Sequence, residues 1–215
     1  MPSGPIKTIA ILGAGKLGTV IARLATTAGY TVYIAGSGNP DKIKLSMQYI
    51  APSAISTFAS EAIAQSDAVI LALPLSKYRQ LSATDLRGKL VIDAMNYWWE
   101  VDGNDPEFAQ PRTSSSEVIQ KFLKDSRVVK ALSHMGYHHL FDETRPHGDA
   151  RRKAIAIAGG SSEDIVAVSQ LVDDLGFDPV AIGPLANGKI LEPGHELFGS
   201  NMNCNELRAI VAKSL

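Results

Sequence analysis

The chain of 215 residues carries 21 basic and 22 acidic side chains, a formal net charge of −1, so no bulk field draws it to nucleic acid or an anionic membrane. It is 45% hydrophobic and 20% charged, long enough to bury a full core, and no apolar run nears the roughly 20 residues of a membrane helix. One cysteine, Cys204, excludes an intrachain disulfide, and the first residues do not read as a secretory leader, so a cytoplasmic protein with small-molecule partners is expected.

Residues 7–18 organise the chain. An apolar run ends in Gly13, Gly15 and Gly18, at G-x-G-x-x-G spacing, and a helix is predicted from Lys16 to Ala28 with Val20, Ile21, Leu24 and Ala25 inward and Gly29 as its stop. A second apolar strand, Tyr30 to Ala35, completes a strand-helix-strand unit of the kind that holds a dinucleotide. Each glycine has its own reason. Gly13 permits the tight turn, Gly15 lets a pyrophosphate approach the backbone, and Gly18 lets the helix pack closely. The free amides and dipole at the helix start point at a diphosphate.

Where an NAD site usually places an acid at the end of the second strand, this chain has Gly36 and Ser37, with Lys42 and Lys44 close behind. A small hydroxyl and ammonium groups favour NADP over NAD. A short helix is expected from Pro40 or Asp41 toward Met47, a third strand over Ala54 to Phe58, and a helix over Ser60 to Gln65. Asp67 to Leu73 reads as a strand buried on both faces, ending at Pro74. A helix around Tyr78 to Leu86 and a fifth strand, Lys89 to Ala94, follow. Two strand ends opening on one crevice make Leu73, Pro74, Met95 and Asn96 candidates for the nicotinamide half of a cofactor.

Tyr97 to Arg112 is the least regular stretch and holds both tryptophans. Its adjacent aromatics, beginning at Tyr97, would stack on a flat substrate ring or form a patch that another subunit covers; both readings stand. Hydroxyls at Thr113 to Ser116, with Glu117, cap a helix carrying Val118, Ile119, Phe122 and Leu123. A sixth strand, Arg127 to Leu132, delivers Ser133 to His139 to the same edge, which makes His134 and its neighbour Met135 candidate substrate contacts. The three histidines there lack companions at ligand spacing, so no metal is expected. Asp142 to Arg152 reads as a mobile surface loop. A strand over Lys153 to Ala158, a helix capped by Ser161 or Ser162 and stopped by Gly176, and a last strand over Asp178 to Ile182 precede a helical extension over residues 185–215. The whole is predicted to be α/β, a single Rossmann-type doubly wound domain with a mostly parallel sheet.

The set G-A-G-K-L-G at the first turn, G-S after strand two, L-P after strand four, R-V-V-K-A-L before a polar loop and G-P-L-A-N-G-K-I-L-E near the C-terminus resembles one family along nearly the whole chain. That family is the NADPH-dependent coenzyme F420 (deazaflavin) oxidoreductases; the cytosolic domain of the STEAP metalloreductases is similar. The resemblance implies that Ala14, Gly15, Lys16 and Leu17 wrap the pyrophosphate, that Ser37 and Lys42 hold the 2′-phosphate, and that Leu73, Pro74 and residues near Met95 lie against the nicotinamide. It departs at Gly38, where the family commonly has Arg, and at the aromatic stretch Tyr97 to Trp99.

The expected activity is hydride transfer between NADP(H) and a deazaflavin or flavin, which requires positioning more than side-chain chemistry, so no catalytic acid or nucleophile is assigned. Reductases of hydroxy acids, imines or ketopantoate usually carry a long helical substrate domain, for which the stretch after Leu185 is too short. Flavin-mediated ferric reduction and a non-enzymatic NADP sensor are the competing readings. A homodimer is expected because Leu191, Leu197, Phe198, Leu207 and Ile210 have few evident places to be buried.

Overall fold

A computed structural model describes residues 5–109 and 113–215. Its strands are β1 (Thr8–Leu12), β2 (Thr31–Ala35), β3 (Ile55–Ser56), β4 (Ala68–Leu71), β5 (Leu90–Asp93), β6 (Arg127–Lys130), β7 (Ala154–Gly159) and β8 (Asp178–Ala181). They form one sheet in the order β3-β2-β1-β4-β5-β6-β7-β8. Every pairing is parallel except β6 with β7. The chain leaves β1 toward β2 on one side and returns to β4 on the other, so the carboxyl ends of β1 and β4 flank the switch point where open α/β sheets hold ligands.

The strands are apolar on both faces because both are covered. Ile9 and Ile11 of β1, with Val32, Ile34 and Ile70, pack on Ile21, Ala22 and Ala25 of α1 (Lys16–Thr27). The alternate residues Ala10, Leu12, Val69 and Leu71 pack on the opposite layer, which includes Ala62 and Ile63 of α3 (Ala59–Ala64). α2 (Asp41–Ile50) lies between β2 and β3 in the chain, and only its Met47 is buried.

Pro74 begins a 3₁₀ turn over Leu75–Gln80, where the sequence suggests a helix starting later, at Tyr78. Leu75 and Tyr78, three apart, are its two buried residues, and that spacing suits three residues per turn. The Tyr97 to Arg112 stretch is more regular than its composition suggests. It forms α4 (Trp99–Asp102) and α5 (Pro106–Ala109); residues 110–112 lie outside the described residues. Asp102 accepts from the amides of Ser76 and Trp98, and Arg79 reaches Asp105 and Glu107, so charge pairs tie this segment to the 3₁₀ turn.

Ser114 caps α6 (Ser115–Phe122) in a reciprocal box with Glu117. A helix missed in the sequence, α7 (Tyr137–Asp142), follows β6. The loop after it is pinned rather than loose: Arg152, 3% exposed, donates to Asp173, to Asp178 and to the Arg145 carbonyl. α8 (Ser162–Asp174) starts on a Ser161 cap.

A second 3₁₀ turn, Leu185–Leu191, and α9 (Cys204–Ser214) close the chain. Leu191, Leu197 and Leu207 are buried against Ala154, Ala156 and Ala158 of β7. The expectation that these three leucines need a second subunit is thereby corrected, because β7 runs antiparallel to β6 and offers them its own small-residue face. Among the described residues no helix is long and apolar enough to cross a membrane.

Candidate functional site

The three glycines of the first turn do three different jobs. Gly13 leaves β1 at φ +118°, and a Cβ there would stand 2.1 Å from the Ala72 carbonyl oxygen. A Cβ on Gly18 would stand 1.9 Å from the Gly13 carbonyl oxygen, which is why the helix can sit so close to the turn. A Cβ on Gly15 would meet nothing within 4 Å. Gly15 is also the residue before α1, and no side chain caps that helix and no acid stands in its first turn. The amides of Lys16, Leu17 and Gly18 therefore lack intrahelical acceptors at the positive end of the dipole, behind the open space at Gly15.

That space is a crevice of about 710 Å³. Leu12 to Gly15 line its floor, Ala35 to Ser37 and Ile43 one side, and Ala72 to Pro74 with Lys77, Gln80 and Leu81 the other. Gly13, Ala14, Gly15, Ser37, Leu73 and Pro74 are thus brought together as the sequence suggests. Lys42 is exposed and outside the lining, and its Nζ stands 3.9 Å from where a Cβ of Gly38, the residue after Ser37, would be. Gly18 is buried as packing, and Lys16 stands over the Tyr137 ring at 5.4 Å.

The nicotinamide-side and substrate-side candidates fare differently. Met95 is buried in the core, so its side chain offers no surface to a ring. Asn96 spends its amide nitrogen on the Ser133 carbonyl at 2.6 Å. Tyr97 packs on Phe108, and its hydroxyl donates to the Gly103 carbonyl at 2.6 Å, which makes it a brace for the α4 segment. His134 corrects the expectation of a substrate contact. Leu132, at φ 60°, turns the chain beyond β6, and His134 lies in the core at 0% exposure with Nε2 accepting the Ala156 amide at 3.0 Å. Burial pushes its pKa down to about 4, against a weaker upward pull from the Leu197 backbone. Met135 is buried with it.

Behind this edge lies a buried polar knot. Lys130 Nζ donates to the Met95 carbonyl at 3.0 Å and stands 3.8 Å from Asp93 Oδ2, both side chains being fully buried. Asp93 also accepts from the Ser116 hydroxyl at 2.6 Å and the Met95 amide at 3.0 Å. Glu192, the last residue of the C-terminal motif, accepts from the Ser115 amide and hydroxyl. Sequence reasoning missed this knot, and it also missed Ile43, Lys77, Gln80 and Leu81 at the crevice. The period-three spacing of Leu75 and Tyr78 after Pro74 was the available signal that a tight turn starts there.

The crevice fits a dinucleotide's shape: a backbone cradle that a Gly15 side chain would fill, apolar walls at Ile43, Leu73 and Leu81, and no carboxylate in the lining. The family model described as "NADP oxidoreductase coenzyme F420-dependent" matches residues 8–97. Among solved structures, the hypothetical protein SMa0349 of Sinorhizobium meliloti is 27% identical with a TM-score of 0.77, over 92% of this chain and 95% of that one. A structure from Arthrobacter sp. FB24, provisionally named an F420-dependent NADP reductase, is 22% identical with a TM-score of 0.70, over 86% of this chain and 87% of that one. An imine reductase from Pseudomonas sp. is 16% identical with a TM-score of 0.59, over 97% of this chain but 62% of its own. No curated protein matches the sequence. Residues 8–97, which carry the glycine turn, the end of β2 and the end of β4, are thus similar to the coenzyme F420-dependent NADP oxidoreductases, and the chain has a Rossmann-type fold.

Proposed function

We propose that the crevice binds NADPH and that the protein exchanges hydride between it and a flat-ring acceptor of the deazaflavin or flavin type. The observation that carries this reading is the uncapped start of α1 behind Gly15, opening on a crevice without carboxylates. The Lys16 to Gly18 amides would hold the pyrophosphate. Ile43 and Leu81 offer apolar surface for the adenine, with the Gln80 amide at its edge. Ser37, with no acid at the end of β2, accepts a 2′-phosphate where an aspartate would repel it.

The nicotinamide, when bound, supplies the hydride itself. The protein's part is to hold donor and acceptor rings together at the carboxyl ends of β4 and β5 and to keep water from between them. The Lys130 to Met95 bond fixes the backbone there, so that edge is rigid before any ligand arrives. We further propose that the protein works in the cytoplasm as a homodimer, with the exposed Trp98 and Trp99 at the subunit contact or over the acceptor ring.

Titration of the purified chain with NADPH and NADH, followed by addition of deazaflavin, FMN or a ferric chelate while NADPH absorbance is followed, tests the reading. Oxidation by deazaflavin or FMN supports it. Tight NADPH binding without turnover by any acceptor would favour a sensor.

A further inference from the structure

Among the described residues that line the crevice, Lys77 is the one charged side chain. We infer that Lys77 is a cation that selects the phosphorylated cofactor, reaching the 2′-phosphate from the wall opposite Ser37 and Lys42; this deepens the NADPH reading and rests on it.

The argument starts from what is missing on the β2 side. Gly38 has no side chain, and Lys42, exposed and outside the lining, is left as the one cation there, its Nζ 3.9 Å from where a Gly38 Cβ would be. Ser37 contributes a hydroxyl but no charge. A dianionic phosphate at this place would meet Lys42 as the one cation on the β2 side unless the other wall supplied a second, and Lys77 is on that wall.

Its placement is built in. The Lys77 amide donates to the Pro74 carbonyl at 2.9 Å, and its neighbours in the turn, Leu75 and Tyr78, are buried, with the Tyr78 hydroxyl donating to Glu107 at 2.8 Å. The backbone at Lys77 is therefore held at the rim while the side chain stays exposed. Arg79, two residues on, is engaged by Asp105 and Glu107 and points its charge into that pair. Adjacent strands lie about 4.8 Å apart, so the end of β2 and the turn after β4, with β1 between them, face each other across about 10 Å. A four-carbon stem carrying a mobile ammonium narrows that gap from the far side.

The test is calorimetric titration of the full chain, wild type, Lys77→Gln and Lys77→Arg, with NADPH, NADH, 2′,5′-ADP and 5′-AMP. Lys77→Gln is expected to weaken NADPH and 2′,5′-ADP about tenfold while leaving NADH and 5′-AMP unchanged, and Lys77→Arg to keep the wild-type preference. Equal weakening of NADPH and NADH, or no change for 2′,5′-ADP, overturns the assignment while the cofactor reading stands. If the wild type binds neither coenzyme nor 2′,5′-ADP, the cofactor reading fails and takes the assignment with it. Far-ultraviolet melting curves for each variant confirm that the protein compared is folded.

Discussion

Glu192 Oε1 accepts hydrogen bonds from both the amide and the hydroxyl of Ser115, at 2.6 and 2.7 Å, across 77 residues of chain. The contact lets the C-terminal segment cap α6 from outside, beside the Ser114 box that caps it from within. Glu192 is 7% exposed, so these bonds are made where water cannot replace them. Glu192→Ala should cost about 2–4 kcal/mol, because it strands a buried amide and hydroxyl and removes a charged acceptor. Urea unfolding measures this. A loss below about 0.5 kcal/mol would mean that water or a neighbouring group takes over the bonds.

The three glycines predict a contrast within one motif. Gly13→Ala and Gly18→Ala put a Cβ about 2 Å from backbone oxygen atoms, and neither oxygen can move without displacing the turn or the end of β4. Both variants should lose about 3 kcal/mol or more, or fail to accumulate as folded protein. Gly15→Ala meets open space at an ordinary backbone angle, φ −82°, and should cost no more than about 1 kcal/mol. It places a methyl where a phosphate would approach. Its melting temperature should stay near wild type while NADPH affinity falls at least tenfold. Unchanged affinity would show that the cofactor does not run past Gly15.

Ser37 stands at the exposed end of β2 on the rim of the crevice. Ser37→Asp introduces the carboxylate that pairs with a ribose 2′-hydroxyl and repels a phosphate. The ratio of NADPH to NADH affinity should drop by about two orders of magnitude, a change of about 3 kcal/mol. A ratio that stays put would locate the 2′-phosphate elsewhere.

His134 predicts a pH dependence of stability. Its pKa is lowered in the folded state from 6.5 to about 4 by burial, so the unfolded chain binds the proton more readily. Stability from this group is full above pH 6.5 and is lost as pH falls toward 4, below which it loses no more. Between pH 7 and pH 5 the loss should be about 2 kcal/mol. In His134→Gln, where a side-chain oxygen can still accept from the Ala156 amide, the pH slope in this window should flatten even though the variant is less stable at pH 7. An unchanged slope would assign the acid sensitivity to other groups.

Much of the glycine turn and of the crevice beside it was legible in the chain because it depends on backbone geometry, and glycine spacing reports backbone geometry directly. Gly13, Gly15 and Gly18, the apolar β1, β2 and β4, and the serine where an acid would stand are local features, and their physical reasons hold within about thirty residues. The sixth strand was legible too. What followed it was not: His134 is polar, sits at the carboxyl edge and reads as a ligand contact, yet the antiparallel β7 brings the Ala156 amide beside it and turns it into a core acceptor. Lys130, inside an apolar strand, makes sense only with Asp93, Met95 and Ser115 around it, each from a different part of the chain. Lys77 carries no local signal, and it is the 3₁₀ turn that brings it to the crevice. Sequence alone decided the strands and the glycine turn, because periodicity and glycine spacing act on neighbouring residues. Only the tertiary structure decided which polar side chains line the crevice and which are consumed in the core, because that depends on partners no local pattern encodes.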